Sequence, residues 1–147
     1  MEVYGIGTDI VEIDRVKDAM ERTPTFKIRV FTEREIAYVE KKKMPYHSYA
    51  VRFAAKEAVS KAVGTGIRGF SVLDIEILND ELGKPYVILH NKLKQKMEGY
   101  AIQISLSHSR EYAGSTVIVY KKENKGGKNE KEFISYSVSK CFIIFMF

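Results

Sequence analysis

The segment from Ser48 to Val63 (SYAVRFAAKEAVSKAV) constrains the fold of this chain more than any other. It is rich in alanine, and its apolar residues at positions 50, 53, 54, 58 and 62 have the spacing of one helical face. Gly64 follows directly, and glycine is common just beyond the carboxyl end of a helix. The segment therefore predicts a long helix whose alanine-rich stripe is buried.

Residues before this helix predict one strand and two shorter helices. Residues 3–13 (VYGIGTDIVEI) are rich in β-branched side chains and lead to Asp14, a typical N-cap for a helix that ends at residues 23–24 (Thr-Pro). Thr32 followed by Glu35 forms a capping-box pattern, which predicts a second helix through about Lys43, closed by Pro45.

Residues after the helix predict two β-hairpins. Residues 72–89 form the first, around the turn-forming NDELGK, and a short helix is expected over residues 90–99. AIQISLS and YAGSTVIVY form the second hairpin, with His108 at its tip. The expected fold class is α+β: an antiparallel sheet packed with the long alanine-rich central helix.

The chain divides into a folded domain and a tail. Residues 1–120 predict one compact domain, whereas residues 121–147 begin with the hydrophilic KKENKGGKNEKE and end with the apolar CFIIFMF. We expect a basic linker, disordered over at least 121–131, and an apolar extension that packs back, contacts another subunit or has no function. The tail holds six of the lysines and three glutamates, so the net charge of +5 leaves the domain nearly balanced. A nucleic-acid partner is therefore not expected.

The sequence favours a cytoplasmic protein. Its single cysteine, Cys141, excludes an intramolecular disulfide framework, and the N-terminus lacks the pattern of an export signal. The longest apolar stretch, residues 141–147, is far shorter than the roughly 20 residues that cross a bilayer. No membrane association is expected.

Three side chains are candidates for metal-assisted chemistry. Asp9 lies on an otherwise apolar strand, and Glu57 and Lys61 are one turn apart on the long helix. Two carboxylates and an ammonium suit magnesium-assisted phosphoryl transfer, because Mg²⁺ takes oxygen ligands and a lysine balances phosphate charge. Alternatively, Asp9 faces water at a sheet edge and the other two form an ordinary surface ion pair.

Further polar features have open interpretations. The stretch from Gly64 to Gly69 matches the G-x-G-x-x-G pattern, but it follows a helix, so we reject a Rossmann motif and retain only a flexible loop that can approach phosphate. His108 fits either a phosphate contact, acid–base chemistry or a structural hydrogen bond, and no G-x-S-x-G elbow supports a hydrolase. Arg15 and Arg22 share one face of the first helix, where they suit an acidic partner or simply face solvent.

Three segments, GIGTDIVEIDRV, RFAAKEAVSKAVGTG and ISLSHSREYA, together resemble the holo-acyl-carrier-protein synthase family of 4'-phosphopantetheinyl transferases. Their order and separation cover essentially all of residues 1–120. The resemblance implies transfer of 4'-phosphopantetheine from coenzyme A to a serine of an apo acyl carrier protein, with release of 3',5'-ADP, in support of fatty acid biosynthesis. It also implies Mg²⁺ as cofactor, with Mn²⁺ as an alternative, and a homotrimer whose active sites lie between subunits.

The resemblance also implies roles for individual residues. Asp9 and Glu57 are expected to bind the metal, and Lys61 to contact the coenzyme A pyrophosphate. Arg15 and Arg22 are expected to bind the acidic helix of the carrier. The remaining residues implied in coenzyme A binding are Arg52, Gly64, Thr65, Gly66 and His108.

Other interpretations stay open at this point. The proton of the carrier serine passes either to a metal-bound water or to a carboxylate such as Glu57 through water. A binding module for coenzyme A or RNA would need no catalysis, although residues 112–120 give only a hint of the aromatic platform that RNA requires. A structural oligomer built through the tail would leave Asp9 and Glu57 apart.

Overall fold

The structure, a computed structural model, describes residues 1–64, 66 and 68–123 of the 147-residue chain. Helices and strands alternate irregularly along it. In chain order the elements are β1 (Val3–Glu12), α1 (Ile13–Arg22), α2 (Phe26–Val30), α3 (Glu33–Val39), α4 (Pro45–Ala62), a 3-10 turn (Val72–Asp74), β2 (Ile75–Asn79), β3 (Pro85–Leu89), α5 (Asn91–Lys96), β4 (Tyr100–His108) and β5 (Tyr112–Lys121).

The strands form two antiparallel sheets. The larger has the order β1-β5-β4, so β5 lies between the N-terminal strand and its own hairpin partner, and the smaller pairs β2 with β3. Both predicted hairpins are present. Helix α4 packs on one face of the larger sheet, which confirms the predicted α+β class with a central alanine-rich helix.

Small residues allow β1 and α4 to approach each other closely. Side chains alternate between the two faces of a strand, and Gly5 and Gly7 of β1 lie on the face toward α4. A Cβ atom on either glycine would collide with the carbonyl oxygen of Ala62 or Ala58, respectively. This tight contact fixes the position of α4 relative to Asp9, the next residue of β1 on that face.

Several predicted helix ends are wrong. Helix α4 begins at Pro45 rather than Ser48, because proline is well tolerated in the first helical turn, where its missing N–H has no helical partner. Helix α3 begins with the predicted Thr32–Glu35 capping box but ends at Val39, short of Lys43. Asp14 lies inside the first turn of α1 and is not its N-cap, which is Glu12. Helix α2 was not predicted.

The predicted tail lies mostly outside the described residues. Strand β5 continues to Lys121, one residue beyond the predicted boundary, and the Lys122 N–H donates a hydrogen bond to the carbonyl of Gly99. Of the linker and apolar extension predicted over residues 121–147, residues 124–147 are not among the described residues. In the part of the chain that the structure describes, no helix has both the length and the apolarity to span a membrane.

Candidate active site at the junction of β1 and α4

Asp9 lies where β1 passes beneath α4. Its side chain is only 16% exposed, because the strand turns it toward the helix together with Gly5 and Gly7. The alternative of an edge-strand acid facing water is therefore wrong. A partly buried carboxylate needs a compensating cation or hydrogen bonds.

Lys61 supplies that cation in this structure. Its Nζ lies 2.8 Å from Oδ1 of Asp9 and donates a second hydrogen bond, of 2.9 Å, to the carbonyl of Thr8. Among the ion pairs of the described residues, Lys61 pairs with Asp9 and not with Glu57 one helical turn away. The surface Glu57–Lys61 pair considered from the sequence is thus absent there.

Glu57 lies close enough to Asp9 for the two charges to interact. Partial burial raises the pKa of the Glu57 carboxyl, the negative charge of Asp9 raises it further, and Lys61 opposes the change. Two carboxylates and one ammonium from β1 and α4 therefore meet, as the sequence alone could not show. Two carboxylates this close together repel each other, and a further cation would relieve the repulsion that Lys61 offsets only in part.

The two carboxylates suit a cation that takes most of its remaining ligands from water and from the substrate. Within the described residues, no cluster of three or more His, Cys, Asp or Glu side chains is arranged to hold a metal ion. Mg²⁺ commonly binds one or two carboxylates, water and substrate phosphates. The donor set of Asp9 and Glu57 therefore fits Mg²⁺ bound together with a phosphate-bearing substrate.

A buried hydroxyl lies opposite Asp9 in the larger sheet. Ser115 of β5 is directly opposite Asp9 in the β1–β5 register, and its side chain faces the same side of the sheet. Its Oγ is buried and has no hydrogen-bond partner, the one such buried side-chain atom among the described residues. No pattern in the sequence singles out this serine.

The loop after α4 begins next to Lys61. Gly64 and Gly66 have φ values of 81° and 56°, in the left-handed region that glycine adopts without strain, and a Cβ on either would meet no atom within 4 Å. The loop follows a helix, in agreement with our rejection of a Rossmann motif. Thr65, the third loop residue implied in coenzyme A binding, lies outside the described residues.

His108 lies far from the acids within one chain. It is the last residue of β4, and its ring contacts that of His47 in an edge-to-face arrangement with centroids 5.6 Å apart. His47 and Glu57 are ten residues apart on α4, which corresponds to about 15 Å along the helix. A single chain therefore does not bring His108 to the Asp9–Glu57 pair.

Sequence reasoning overlooked His47. It lies in the first turns of α4, and burial lowers the pKa of its ring, as does the charge of His108. A hydrogen bond to the backbone of Arg110 and the charge of Asp14 act in the opposite direction. No sequence pattern joins positions 47 and 108, since their contact depends on how α4 crosses the hairpin.

Arg52 lies on the other face of α4, away from Asp9. Its side chain is 2% exposed, and its guanidinium donates hydrogen bonds to the carbonyl of Ile77, to Ser48 and to Oδ1 of Asn79. It also stacks on the ring of Tyr38. Arg52 thus joins α4 to β2, and the structure does not bring it to the candidate site.

Arg52 belongs to a buried polar network that sequence reasoning missed. Lys56 and Glu35 form an ion pair of 2.8 Å with both side chains at most 2% exposed, and Lys56 also donates to the carbonyl of Ile75. Glu35 accepts from the N–H of Ile77, and Glu76 pairs with Arg34. The capping box signalled Glu35, but its second role depends on tertiary contacts that spacing does not reveal.

Arg15 and Arg22 are both exposed on α1. Arg22 forms a long surface ion pair with Asp18, at 3.8 Å. Arg15 lies on the wall of a groove of about 440 Å³, whose other lining residues are mostly apolar. These are Ile10, Val11, Glu12, Val16, Ala19, Phe26, Phe53 and Tyr112. The groove thus combines an exposed cation with an apolar surface. One of its lining residues, Phe53, lies on α4 one turn before Glu57.

Comparison with known proteins gives matches over nearly the whole described domain. Residues 5–117 match the family described as ACPS, the 4'-phosphopantetheinyl transferase superfamily. A holo-(acyl-carrier-protein) synthase of Fusobacterium nucleatum is 47% identical over 121 residues, covering 80% of this chain and 98% of that protein. One from Clostridium botulinum is 51% identical over 119 residues, covering 80% and 97%.

A solved structure agrees with the fold. The crystal structure of a holo-(acyl-carrier-protein) synthase from Bacillus anthracis in complex with CoA (3',5'-ADP) superposes with a TM-score of 0.71 at 38% identity. The match covers 83% of this chain and all of that one. These matches confirm the resemblance predicted from the three sequence segments.

Proposed function

This chain belongs to the 4'-phosphopantetheinyl transferase superfamily, and on that premise we propose that it is a holo-(acyl-carrier-protein) synthase. It transfers the 4'-phosphopantetheine group of coenzyme A to a serine of an apo acyl carrier protein and releases 3',5'-ADP. The holo-carrier then serves fatty acid biosynthesis, and the setting of the reaction is the cytoplasm.

The observation that carries the proposal is the meeting of Asp9, Glu57 and Lys61 at the junction of β1 and α4. Asp9 and Glu57 would hold Mg²⁺, or Mn²⁺ in its place, because their oxygens are the hard ligands that both ions accept. When bound, the ion neutralises charge on the pyrophosphate of coenzyme A. The unfavourable proximity of the two carboxylates is what such an ion would relieve.

Lys61 balances charge during the transfer. The serine oxygen of the carrier forms a bond to the phosphorus next to the pantetheine arm, and the bond from that phosphorus to the 3',5'-ADP oxygen breaks. The serine proton passes to water or, through water, to a carboxylate such as Glu57. With Asp9 engaged by such an ion, the Lys61 ammonium, which here pairs with Asp9, would turn toward the phosphate oxygens, where negative charge builds. Its side chain is 52% exposed, which leaves it room to move.

Coenzyme A also contacts the loop after α4 and His108. The backbone at Gly64 and Gly66 can approach phosphate closely, because a glycine carries no side chain. Thr65, between them in the sequence, belongs to the same proposed contact. His108 donates a hydrogen bond to a phosphate oxygen. We leave Arg52 out of these contacts, because its guanidinium is buried and bonded to β2.

The active form is a homotrimer with its active sites between subunits. Two observations support this proposal. His108 contacts His47, which lies about 15 Å along α4 from Glu57 in the same chain, so His108 of a neighbouring copy would complete the site. The sheet face opposite α4 also exposes apolar residues, including Ile6 at 64% and Ile118 at 37%, which face each other across β1 and β5.

The carrier protein docks along α1. Arg15 and Arg22 offer positive charge to its acidic helix, and the apolar groove beside Arg15 accepts side chains from that helix. The groove leads toward α4 near Phe53, one turn before Glu57. A serine on the docked carrier would thus lie close to the proposed metal site.

A mass-spectrometric assay tests the proposed function. The protein is incubated with an apo acyl carrier protein, coenzyme A and Mg²⁺, and the carrier is weighed for the added phosphopantetheine group. We expect complete conversion with the unmodified protein and none with a chelator. Asp9→Ala and Glu57→Ala should each lose the metal, which stabilises the transition state by several kcal/mol. We therefore expect transfer rates at least ~100-fold lower for both variants.

A matched variant controls for general effects of losing a surface acid. Glu81 is exposed in the β2–β3 turn, and Glu81→Ala should retain the full rate. Near-normal rates for both Asp9→Ala and Glu57→Ala would contradict the metal assignment. No transfer by the unmodified protein to any apo carrier tried would contradict the function itself.

A further inference from the structure

Ser115 occupies a central position on the inner face of the larger sheet. It lies on β5, the middle strand, between Asp9 on β1 and Leu106 on β4. Along its own strand the residues on the same face are Ala113 and Val117, both fully buried. Of these four nearest positions in the sheet, only Asp9 carries a polar side chain.

The hydroxyl of Ser115 has no partner in this position. The residue is 4% exposed, and its Oγ makes no hydrogen bond. Leaving a buried donor and acceptor unsatisfied destabilises the fold, so such groups are rare in folded proteins and call for an explanation. Alanine would fill the same space between the two apolar neighbours without that cost.

The geometry brings the hydroxyl within reach of Asp9. Directly opposed residues in an antiparallel pair have Cβ atoms about 4.5–5.5 Å apart, and their side chains lie on one face. The strands are held in register at this point by a hydrogen bond of 3.1 Å from Thr8 Oγ1 to the carbonyl of Ser115. In this structure Lys61 bonds to Oδ1 of Asp9 instead.

From these observations we propose that Ser115 is a positioning residue for the metal ligand Asp9. When a divalent cation binds and Lys61 turns to the phosphate, the Ser115 hydroxyl donates a hydrogen bond to the Asp9 carboxylate, directly or through one water. This bond holds the carboxylate in the orientation that the cation requires. Hydrogen bonds of this kind to metal-binding carboxylates typically change metal affinity 10- to 100-fold.

The inference rests on the proposed function, since it assumes a metal at Asp9. It makes an unusual pair of predictions for Ser115→Ala. The metal-free protein should be as stable as the unmodified one or more stable, because an unsatisfied hydroxyl is removed. Metal affinity should nevertheless fall. If Ser115 had only a structural role, its replacement would not lower metal affinity while leaving stability unchanged or higher.

Direct binding of Mn²⁺ tests the inference without any transfer assay. Free Mn²⁺ is measured by electron paramagnetic resonance during titration of the full-length protein in the presence of 3',5'-ADP, and unfolding of the metal-free protein is followed in urea. We expect the Kd for Mn²⁺ to rise about 10-fold or more in Ser115→Ala. An unchanged Kd would overturn the proposal.

Ser60→Ala is a matched control. Ser60 is also a buried serine, but its hydroxyl donates to the carbonyl of Lys56 at 2.8 Å, inside α4. This variant should bind Mn²⁺ normally and unfold at a lower urea concentration than the unmodified protein, because a buried hydrogen bond is lost.

Asp9→Ala separates failure of the inference from failure of the proposed function. If Asp9→Ala loses Mn²⁺ and Ser115→Ala does not, only the role of Ser115 is wrong. If Asp9→Ala itself binds Mn²⁺ normally, the metal centre and the role of Ser115 both fail.

Discussion

At the scale of single residues, the site brings together groups that destabilise the fold. Glu57 is partly buried beside the like charge of Asp9, and the ammonium of Lys61 offsets only part of the repulsion. Functional sites often keep such groups at the expense of stability. Variants that remove the charge should therefore separate stability from activity.

Glu57→Gln should raise the free energy of unfolding of the metal-free protein. The amide has nearly the shape of the carboxylate but removes the charge that burial and Asp9 disfavour. Urea denaturation measures this change, and Glu81→Gln in the exposed turn serves as control. The same variant should lose transfer activity. A Glu57→Gln protein less stable than the unmodified one would contradict this account of the charges.

His47 should make the protein less stable in mild acid. Because its pKa in the folded state lies below the ordinary 6.5, the unfolded chain takes up the proton more readily. The contribution of the neutral His47 ring to the free energy of unfolding is fully present above pH ~6.5. It is lost as the pH falls through and below that value. His108 and Asp14 are the charged groups that act on it.

Comparing His47→Asn with the unmodified protein isolates this contribution. Unfolding in urea at pH 7.5 and at pH 5.5 should show a smaller loss of stability on acidification for the variant. An equal loss in the two proteins would mean that His47 does not titrate abnormally.

At the scale of helices and strands, local signals were read correctly from the sequence. The alanine stripe of α4, the Thr32–Glu35 capping box and both hairpins depend on neighbouring residues, and all are present. Pro45 was misread because proline is compatible both with the end of one helix and with the first turn of the next.

Contacts between distant elements could not be read in the same way. Asp9 and Glu57 were named from the sequence, but their proximity depends on Gly5 and Gly7 admitting α4. Ser115 and His47 gave no sequence signal, since each matters only through a partner from another element. Residue types were thus predictable, whereas the pairs that they form were not.

The buried Lys56–Glu35 pair should behave as one unit that joins α4 to α3. Lys56→Met leaves the Glu35 carboxylate buried without its cation, and losing one partner of a buried pair costs about 3–5 kcal/mol. The double variant with Glu35→Gln should recover part of that loss. Chemical denaturation of the two single variants and the double variant measures the coupling free energy between the two side chains. Additive losses of stability would show that they do not interact.

At the scale of the whole molecule, the larger sheet is used on both faces. One face packs on α4 and carries Asp9 and Ser115, and the other exposes Ile6 and Ile118. In the proposed trimer, this second face is where copies meet, while the acids and His108 lie on the face toward α4. Assembly and catalysis would then depend on the same sheet.

Ile118→Asp should shift the protein from trimer to monomer. A charge placed opposite Ile6 on the exposed apolar face would have to be buried at the proposed interface. Sedimentation velocity measures the state of assembly, and transfer activity should fall together with the trimer.

Leu82→Asp is the control for this prediction, because Leu82 is 94% exposed in the β2–β3 turn, away from that face. It should remain a trimer with full activity. A monomeric unmodified protein that transfers the group at full rate would contradict the proposed assembly.

The most direct test of the account is to locate the metal by anomalous diffraction from crystals of the protein grown with Mn²⁺ and coenzyme A. The account predicts a peak within about 2.5 Å of carboxylate oxygens of both Asp9 and Glu57 and in contact with the pyrophosphate. A well-occupied Mn²⁺ bound with coenzyme A at any position that Asp9 and Glu57 do not reach, in the same chain or a neighbouring one, would contradict it.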